Sequence, residues 1–164
     1  MNPIVFTIAI ALLARVSASG HSIRGKPRYL SPLIGTSWTA VEIVFNEESI
    51  TQQRNEVLSD HPITLSFDSV GTRTRAAGST GCNRYFGMLK ELSQNSFTTP
   101  RRFATTRKYC RGVMVQEMNY MRFLGNKKFY YKVVSAGDNE DELILLDNEE
   151  NILARFHELG DDGK

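Results

Sequence analysis

Two cysteines, Cys82 and Cys110, sit inside two distinctive words, Gly81-Cys82-Asn83-Arg84-Tyr85-Phe86-Gly87 and Thr105-Thr106-Arg107-Lys108-Tyr109-Cys110. Joined, they close one long loop in mid-chain and tie the segment before Tyr85 to the start of a helix, which constrains the fold strongly. In the loop-entropy account such a bridge contributes about 3 to 4 kcal/mol, a sizeable part of a domain's stability. A pair of cysteines in an exported chain reads first as a disulfide. The alternative is two free buried thiols. A redox pair lacks the Cys-x-x-Cys spacing, and no motif supplies the base a nucleophilic cysteine needs.

Export is suggested by the first residues. Met1-Asn2-Pro3 precedes an apolar run from Ile4 to Ala14, then Arg15 and the small residues Val16-Ser17-Ala18-Ser19-Gly20. The run is shorter than the roughly 20 residues a membrane-spanning helix needs. It suits a signal-peptide core, with cleavage expected after Ala18, although no Lys or Arg precedes it. The competing reading is a buried N-terminal helix or strand. With no cysteine near the cleavage site and no second long apolar stretch, neither a lipid anchor nor a transmembrane anchor is expected, and the mature chain reads as secreted (periplasmic if bacterial). The expected partition is a signal peptide (1–18), an extended leader (19–32), one domain (33–159) and an acidic tail (160–164).

The formal net charge of +2 hides a segregation. From Gly71 to Lys128, twelve Lys or Arg face only Glu91 and Glu117, whereas from Asp138 onward acidic residues dominate. A basic block can mark a nucleic-acid or anionic-lipid footprint. These cations are scattered over several expected strands and a helix, so charge balance within the fold is the first reading. A nucleic-acid partner is not expected.

Periodicity gives an antiparallel α+β domain. Ile34 to Phe45 is rich in β-branched and aromatic residues, Ile63 to Asp68 alternates apolar and polar, and Gly71 turns the chain into a hairpin partner, Thr72 to Gly78. Tyr85 to Leu89 and Ser96 to Ala104 read as two further strands. Asn46 to His61 reads as a loop. Val113 to Leu124 is the one good helix, with Val113, Met114, Glu117, Met118, Met121 and Leu124 on one face and Gly125-Asn126 as its stop. Three strands follow, Lys128 to Ser135, Glu142 to Leu146 and Ile152 to His157. About eight strands and one main helix (113–124) make a curved antiparallel sheet or cracked β-barrel.

Chemistry-bearing residues do not assemble into a motif. His21, His61 and His157 lack metal-ligand spacing, and no metal site, cofactor or catalytic residue is expected. There is no Gly-x-Ser-x-Gly elbow. Asp138, Glu140, Asp141 and Glu142 lack calcium-loop spacing and read as a solvated turn. Trp38, Phe67, Phe86, Phe97, Phe103, Phe123, Phe129 and Tyr131 read as core. If the sheet curls incompletely, some of these aromatics with Met114, Met118 and Met121 would instead line an adaptable apolar pocket. Asn-x-Ser/Thr sequons are absent from the sequence. Arg28-Tyr29-Leu30-Ser31 faintly resembles a host-targeting Arg-x-Leu-Arg word, but the final arginine is missing and the match reads as chance.

The order of Leu33-Ile34-Gly35-Thr36-Ser37-Trp38, the Gly81 to Gly87 word and the Thr105 to Cys110 word followed by Glu117 resembles the META domain, the HslJ-like family. The closing segments, Lys128 to Val134, Glu142 to Leu146 and Ile152 to Phe156, fit it too. The resemblance spans about Leu33 to Leu159. It implies a compact α+β domain of cracked-barrel character, similar to secretin-pilot lipoproteins, with roles in envelope stress, secretion or host contact and no established enzymatic activity. The long Asn46 to His61 loop, and Lys108-Tyr109 where the family commonly carries small or apolar residues, depart from the pattern.

The residues that carry the resemblance are Trp38, Gly81, Asn83, Arg84, Gly87, Thr106, Arg107 and Glu117, and their expected roles are structural. Gly81 and Gly87 would bracket a place of positive φ or close approach. Asn83 would hold a turn by bonding its own backbone, and Arg107 and Glu117 would pair to fix the helix on the sheet. The expected function is a non-enzymatic protein-interaction module with a protein partner. The alternatives are a carrier for a lipid or small apolar ligand and an enzyme of unknown type.

Overall fold

The computed structural model describes residues 31–45, 53–56, 60–135 and 141–160. The expected signal peptide, the leader before Ser31 with His21 and the Arg28-Tyr29-Leu30 word, and residues 161–164 of the acidic tail lie outside the described residues. So do Asp138 and Glu140.

Eleven strands form one antiparallel sheet: β1 (Ser37–Phe45), β2 (Gln53–Glu56), β3 (Thr64–Val70), β4 (Arg73–Ser79), β5 (Arg84–Met88), β6 (Glu91–Leu92), β7 (Ser96–Thr98), β8 (Ala104–Thr105), β9 (Lys128–Ser135), β10 (Asp141–Leu146) and β11 (Ile152–Glu158). Helix α1 (Met114–Leu124) interrupts them. The order across the sheet is β6-β7-β9-β10-β11-β1-β3-β4-β5-β8, with β2 beside β1. The sheet curves but does not close. The chain passes from β5 to β6 through Leu89, which donates to the Thr74 carbonyl at 2.9 Å, and Lys90, which donates to the Thr98 carbonyl at 2.8 Å. One bent segment thus serves both ends of the sheet while β8 remains an edge.

The alternation of β3 turns Leu65 and Phe67 inward, and Leu143 and Leu145 of β10 do the same. In β1 a bulge between Ala40 and Glu42 shifts the alternation, so that Ile43 follows Trp38 and Ala40 into the core while Glu42 stays half-buried. Trp38 is fully enclosed because its indole N–H finds the Thr36 hydroxyl at 2.7 Å, which donates in turn to the Leu33 carbonyl at 2.7 Å. The interior is mostly aromatic. Phe97 lies 5.3 Å from Phe67 and 5.2 Å from Phe129, and Phe123 of the helix reaches Phe129 at 5.2 Å.

Several expectations from sequence are corrected. The Asn46 to His61 segment contains β2. Ser96 to Ala104 is two strands rather than one, broken at Thr99-Pro100, because proline has no N–H for a ladder. The helix buries Tyr120, Phe123 and Leu124 against the core, whereas Met114 and Met118 are exposed. Two adjacent stripes of the helix carry apolar side chains, and the aromatic one wins because it removes more area from water. The methionines therefore do not line a shared pocket. Phe86, expected in the core, is 52% exposed on the outer face of β5. The helix stop is placed as expected, with Asn126 rather than Gly125 in the left-handed conformation (φ 52°).

Candidate functional site

The two cysteine words meet at one end of the sheet. Cys82 and Cys110 form a disulfide with their Cα atoms 5.9 Å apart. Beside it Asn83, buried, spends its whole side-chain amide on neighbours. Its Oδ1 accepts from the Thr106 hydroxyl at 2.8 Å and from the Lys108 N–H at 2.7 Å. Its Nδ2 donates to the Lys108 carbonyl at 2.9 Å and to Glu117 Oε2 at 2.8 Å. The same Glu117 oxygen lies 2.7 Å from the hydroxyl of Thr80, also buried. The expected Asn83 self-turn is thus replaced by a link between three segments. The turn itself is held by Thr80, whose N–H donates to the Asn83 carbonyl at 2.8 Å and whose hydroxyl accepts the Asn83 N–H at 3.0 Å.

The expected Arg107–Glu117 ion pair does not form. Arg107 is exposed, and the helix is fixed instead by Glu117 on Thr80 and Asn83 and by Gln116, whose Nε2 donates to the carbonyls of His61 at 2.9 Å and Thr80 at 3.1 Å. A neutral hydroxyl and an amide satisfy the carboxylate where bringing a guanidinium inside would add a desolvation cost. Gly81 and Gly87 behave as their word suggested. Gly81 has φ +93° and would set a Cβ 2.6 Å from the His61 carbonyl; a Cβ at Gly87 would lie 2.7 Å from the Phe103 ring. Arg84 is exposed, and its backbone pairs with Thr106.

This arrangement holds the segment after β8 straight. Thr106 donates its N–H to the Arg84 carbonyl at 3.0 Å and accepts the Arg84 N–H on its hydroxyl at 3.1 Å. Thr105 stands opposite Tyr85 and Ala104 opposite Phe86. Hydrogen-bonded pairs alternate along an antiparallel ladder, so Thr105 turns its N–H and C=O away from β5. Among the described residues no strand pairs β8 on that side.

On the core side of this edge lies a pocket of about 300 Å³ lined by Arg101, Arg102, Phe103, Thr105, Met121 and Gly125. On the outer side Phe86 stands between Ala77 and Ala104, the small cross-strand neighbours that leave its ring uncovered. The whole stretch from Ala104 to Tyr109 is exposed. Of these features the sequence words marked Asn83, Thr106 and Glu117. Thr80 and Gln116 carry no motif, and nothing in the sequence separates Phe103 from the other core aromatics or singles out Thr105 within its word, because these roles come from strand register.

Other groups with displaced titration lie deeper. Burial pushes the Tyr85 phenol well up, reinforced by the neighbouring Tyr120. Burial pushes Tyr120 up too, partly offset by its hydrogen bond to Tyr85. The two oxygens are 2.8 Å apart, and Tyr85 also donates to the Thr64 carbonyl. Both are enclosed, so they act as core struts. His61 contacts the Gly81 carbonyl and His157 is exposed on β11, so the described histidines do not converge. Asp141 accepts from Ser135, and Glu142 pairs with Arg155 at 2.9 Å. Among the described residues no ion pair joins the basic block to the acidic C-terminal region. A second cavity, about 500 Å³, opens at the β3–β4 and β6–β7 turns and is lined largely by hydroxyl groups, including Ser69, Thr72 and Ser93.

A family model described as META domain matches residues 31–159. No curated protein matches the chain. Among solved structures, a protein from Burkholderia xenovorans determined by NMR is similar in fold, with a TM-score of 0.57 and 21% identity over 78% of this chain and 84% of that one.

Proposed function

The chain belongs to the META domain family, and on that premise we propose that it works without catalysis, as a protein-interaction module of an oxidising compartment, secreted or periplasmic. The observation that carries this reading is the open β8 edge, held straight by the Asn83 links and the disulfide and flanked by the exposed Phe86 ring. Unpaired edges are normally covered or blunted because they invite pairing with another chain. Here the edge is short but rigidly supported, as a recognition surface requires. The disulfide fits an oxidising location, as does the expected signal peptide. Envelope stress, secretion and host contact are the settings in which such a module would act.

A photo-crosslinking residue placed at Ala104, with one at His157 on β11 as control, tests the reading in the native source. A protein adduct specific to position 104 is the expected result. No protein adduct at either position, together with a small molecule co-purifying in native mass spectrometry, would replace the module by the carrier.

A further inference from the structure

The geometry points to the class of partner: the β8 edge receives an extended, acidic protein segment that adds to the sheet as a further strand. This rests on the interaction-module reading and deepens it. Three independent features converge on the same few residues. Thr105 offers an outward N–H and C=O pair, the hydrogen bonds by which strand addition gains affinity.

Side chains of an added strand alternate between the faces of the sheet. On the core side they meet the pocket of about 300 Å³ floored by Phe103 and Met121. On the outer side they meet Phe86 beside Ala104. An apolar residue at every second position would find a seat on one face or the other.

Charge sets the remaining positions. Arg101, Arg102, Arg107 and Lys108 are exposed in the chain that flanks the edge, exposed Arg111 follows just beyond Cys110, and the sequence carries no acidic residue between Glu91 and Glu117. None of the five forms an ion pair among the described residues. A field of one sign steers oppositely charged partners and weakens with salt. Carboxylates on the incoming strand would lie within reach of the guanidinium groups, which hold them by paired N–H bonds.

The test is selection of a displayed library of random peptides about twelve residues long on the oxidised protein, followed by hydrogen exchange with the enriched peptides. The expected result is enrichment in Asp and Glu alternating with apolar residues, slowed exchange at the Thr105 amide, and binding that weakens more than tenfold in Arg101→Glu/Arg102→Glu. Thr105→Pro, which removes an N–H the fold does not use, should weaken binding by a similar factor. If that variant misfolds, the charge reversal and the exchange data still decide. Enriched peptides without acidic excess, no enrichment, or protection confined to the exposed helix residues Met114, Val115 and Met118 would overturn the proposal. A position-104 crosslink obtained beside any of those outcomes would leave the interaction-module reading standing with a different partner chemistry. Selected peptides that match the chain's own acidic C-terminal region would instead indicate self-association, to be read as a concentration-dependent mass in sedimentation, and would likewise overturn a separate acidic partner.

Discussion

The side chain of Asn83 takes the place of a peptide group opposite Lys108: its Oδ1 accepts the Lys108 N–H at 2.7 Å while its Nδ2 donates to the Lys108 carbonyl at 2.9 Å. One side-chain amide thereby extends the β5–β8 ladder beyond the end of β5 and, through Glu117, binds it to the helix. Only asparagine combines an acceptor and a two-proton donor at this reach.

Replacing Asn83 by Ala leaves a backbone N–H, a carbonyl and a carboxylate oxygen short of partners in a part-buried site. The expected loss is about 2 to 4 kcal/mol in urea unfolding. Asn83→Asp should be at least as damaging, because a carboxylate would face Glu117 and the Lys108 carbonyl without a proton to offer. An Asp variant as stable as the parent at neutral pH would show that the amide is not the link described.

Glu117 and Arg107 separate the observed contacts from the expected ion pair. Glu117→Gln keeps an oxygen for Thr80 and Asn83 and loses only the charge, so a cost of about 1 kcal/mol is expected, against about 2 to 3 kcal/mol for Glu117→Leu. Arg107→Ala should change stability by less than about 0.5 kcal/mol, as exposed substitutions do. Equal losses for Arg107→Ala and Glu117→Leu in thermal or urea melts would reinstate the ion pair.

Much of the fold was legible because most strands announce themselves. β3 alternates cleanly, β9 to β11 are runs of β-branched, leucine and aromatic residues between turn residues, and α1 has a clear period and stop. What stayed hidden is set by distant partners. β6 and β8 are two residues each and exist because β7 and β5 lie beside them. The helix face is legible in Val113, Met121 and Leu124, which turn to the core as expected, but not in Met114 and Met118, which are exposed, because both stripes are apolar and only the space inside the sheet chooses between them. Phe86 looked like core because hydrophobicity does not reveal which side of a strand faces in when its neighbours are Tyr85 and Gly87. In the site, the family words contain Asn83, Thr106 and Glu117, whose side chains bond one another across three segments, but the outward amide of Thr105 depends on register alone.

The disulfide should matter most locally. Cys82→Ala/Cys110→Ala releases a loop with a sequence separation of 28, for which chain entropy gives a loss of about 3 to 4 kcal/mol. Because Asn83 still grips Lys108, the sheet should persist, and the first amides to exchange faster should be those of Arg107 to Gly112. Acceleration of the core strands by the same factor as Arg107 to Gly112, with no excess at those loop amides, would contradict this.

Gly87 tests whether the pocket beside the edge depends on close approach. A Cβ there would lie 2.8 Å from Pro100 and 2.7 Å from the Phe103 ring, so Gly87→Ala must displace the segment that forms the pocket floor. A cost of about 1 to 3 kcal/mol is expected, with exchange raised at Phe103 to Thr105. A crystal structure of the variant with Phe103 unmoved would refute the packing argument.

The buried tyrosines make the protein alkali-sensitive, and the sign can be worked through. Burial holds the Tyr85 and Tyr120 phenols protonated above the ordinary range near pH 10, so the folded state binds protons that the unfolded chain releases there. Their contribution is fully present below about pH 10 and is lost as the pH rises above it. With both phenols ionised in the unfolded chain, stability should fall by about 2.7 kcal/mol per pH unit, twice the single-group slope. Tyr120→Phe should lower stability at pH 8, since Tyr85 loses its hydroxyl partner, and should roughly halve the alkaline slope. Urea midpoints at pH 9, 10 and 11, read beside the tyrosinate absorbance near 295 nm, check both parts. In the folded protein fewer than all six tyrosines should ionise before the unfolding transition. Complete ionisation near pH 10 with the fold intact would show that the pair is open to solvent.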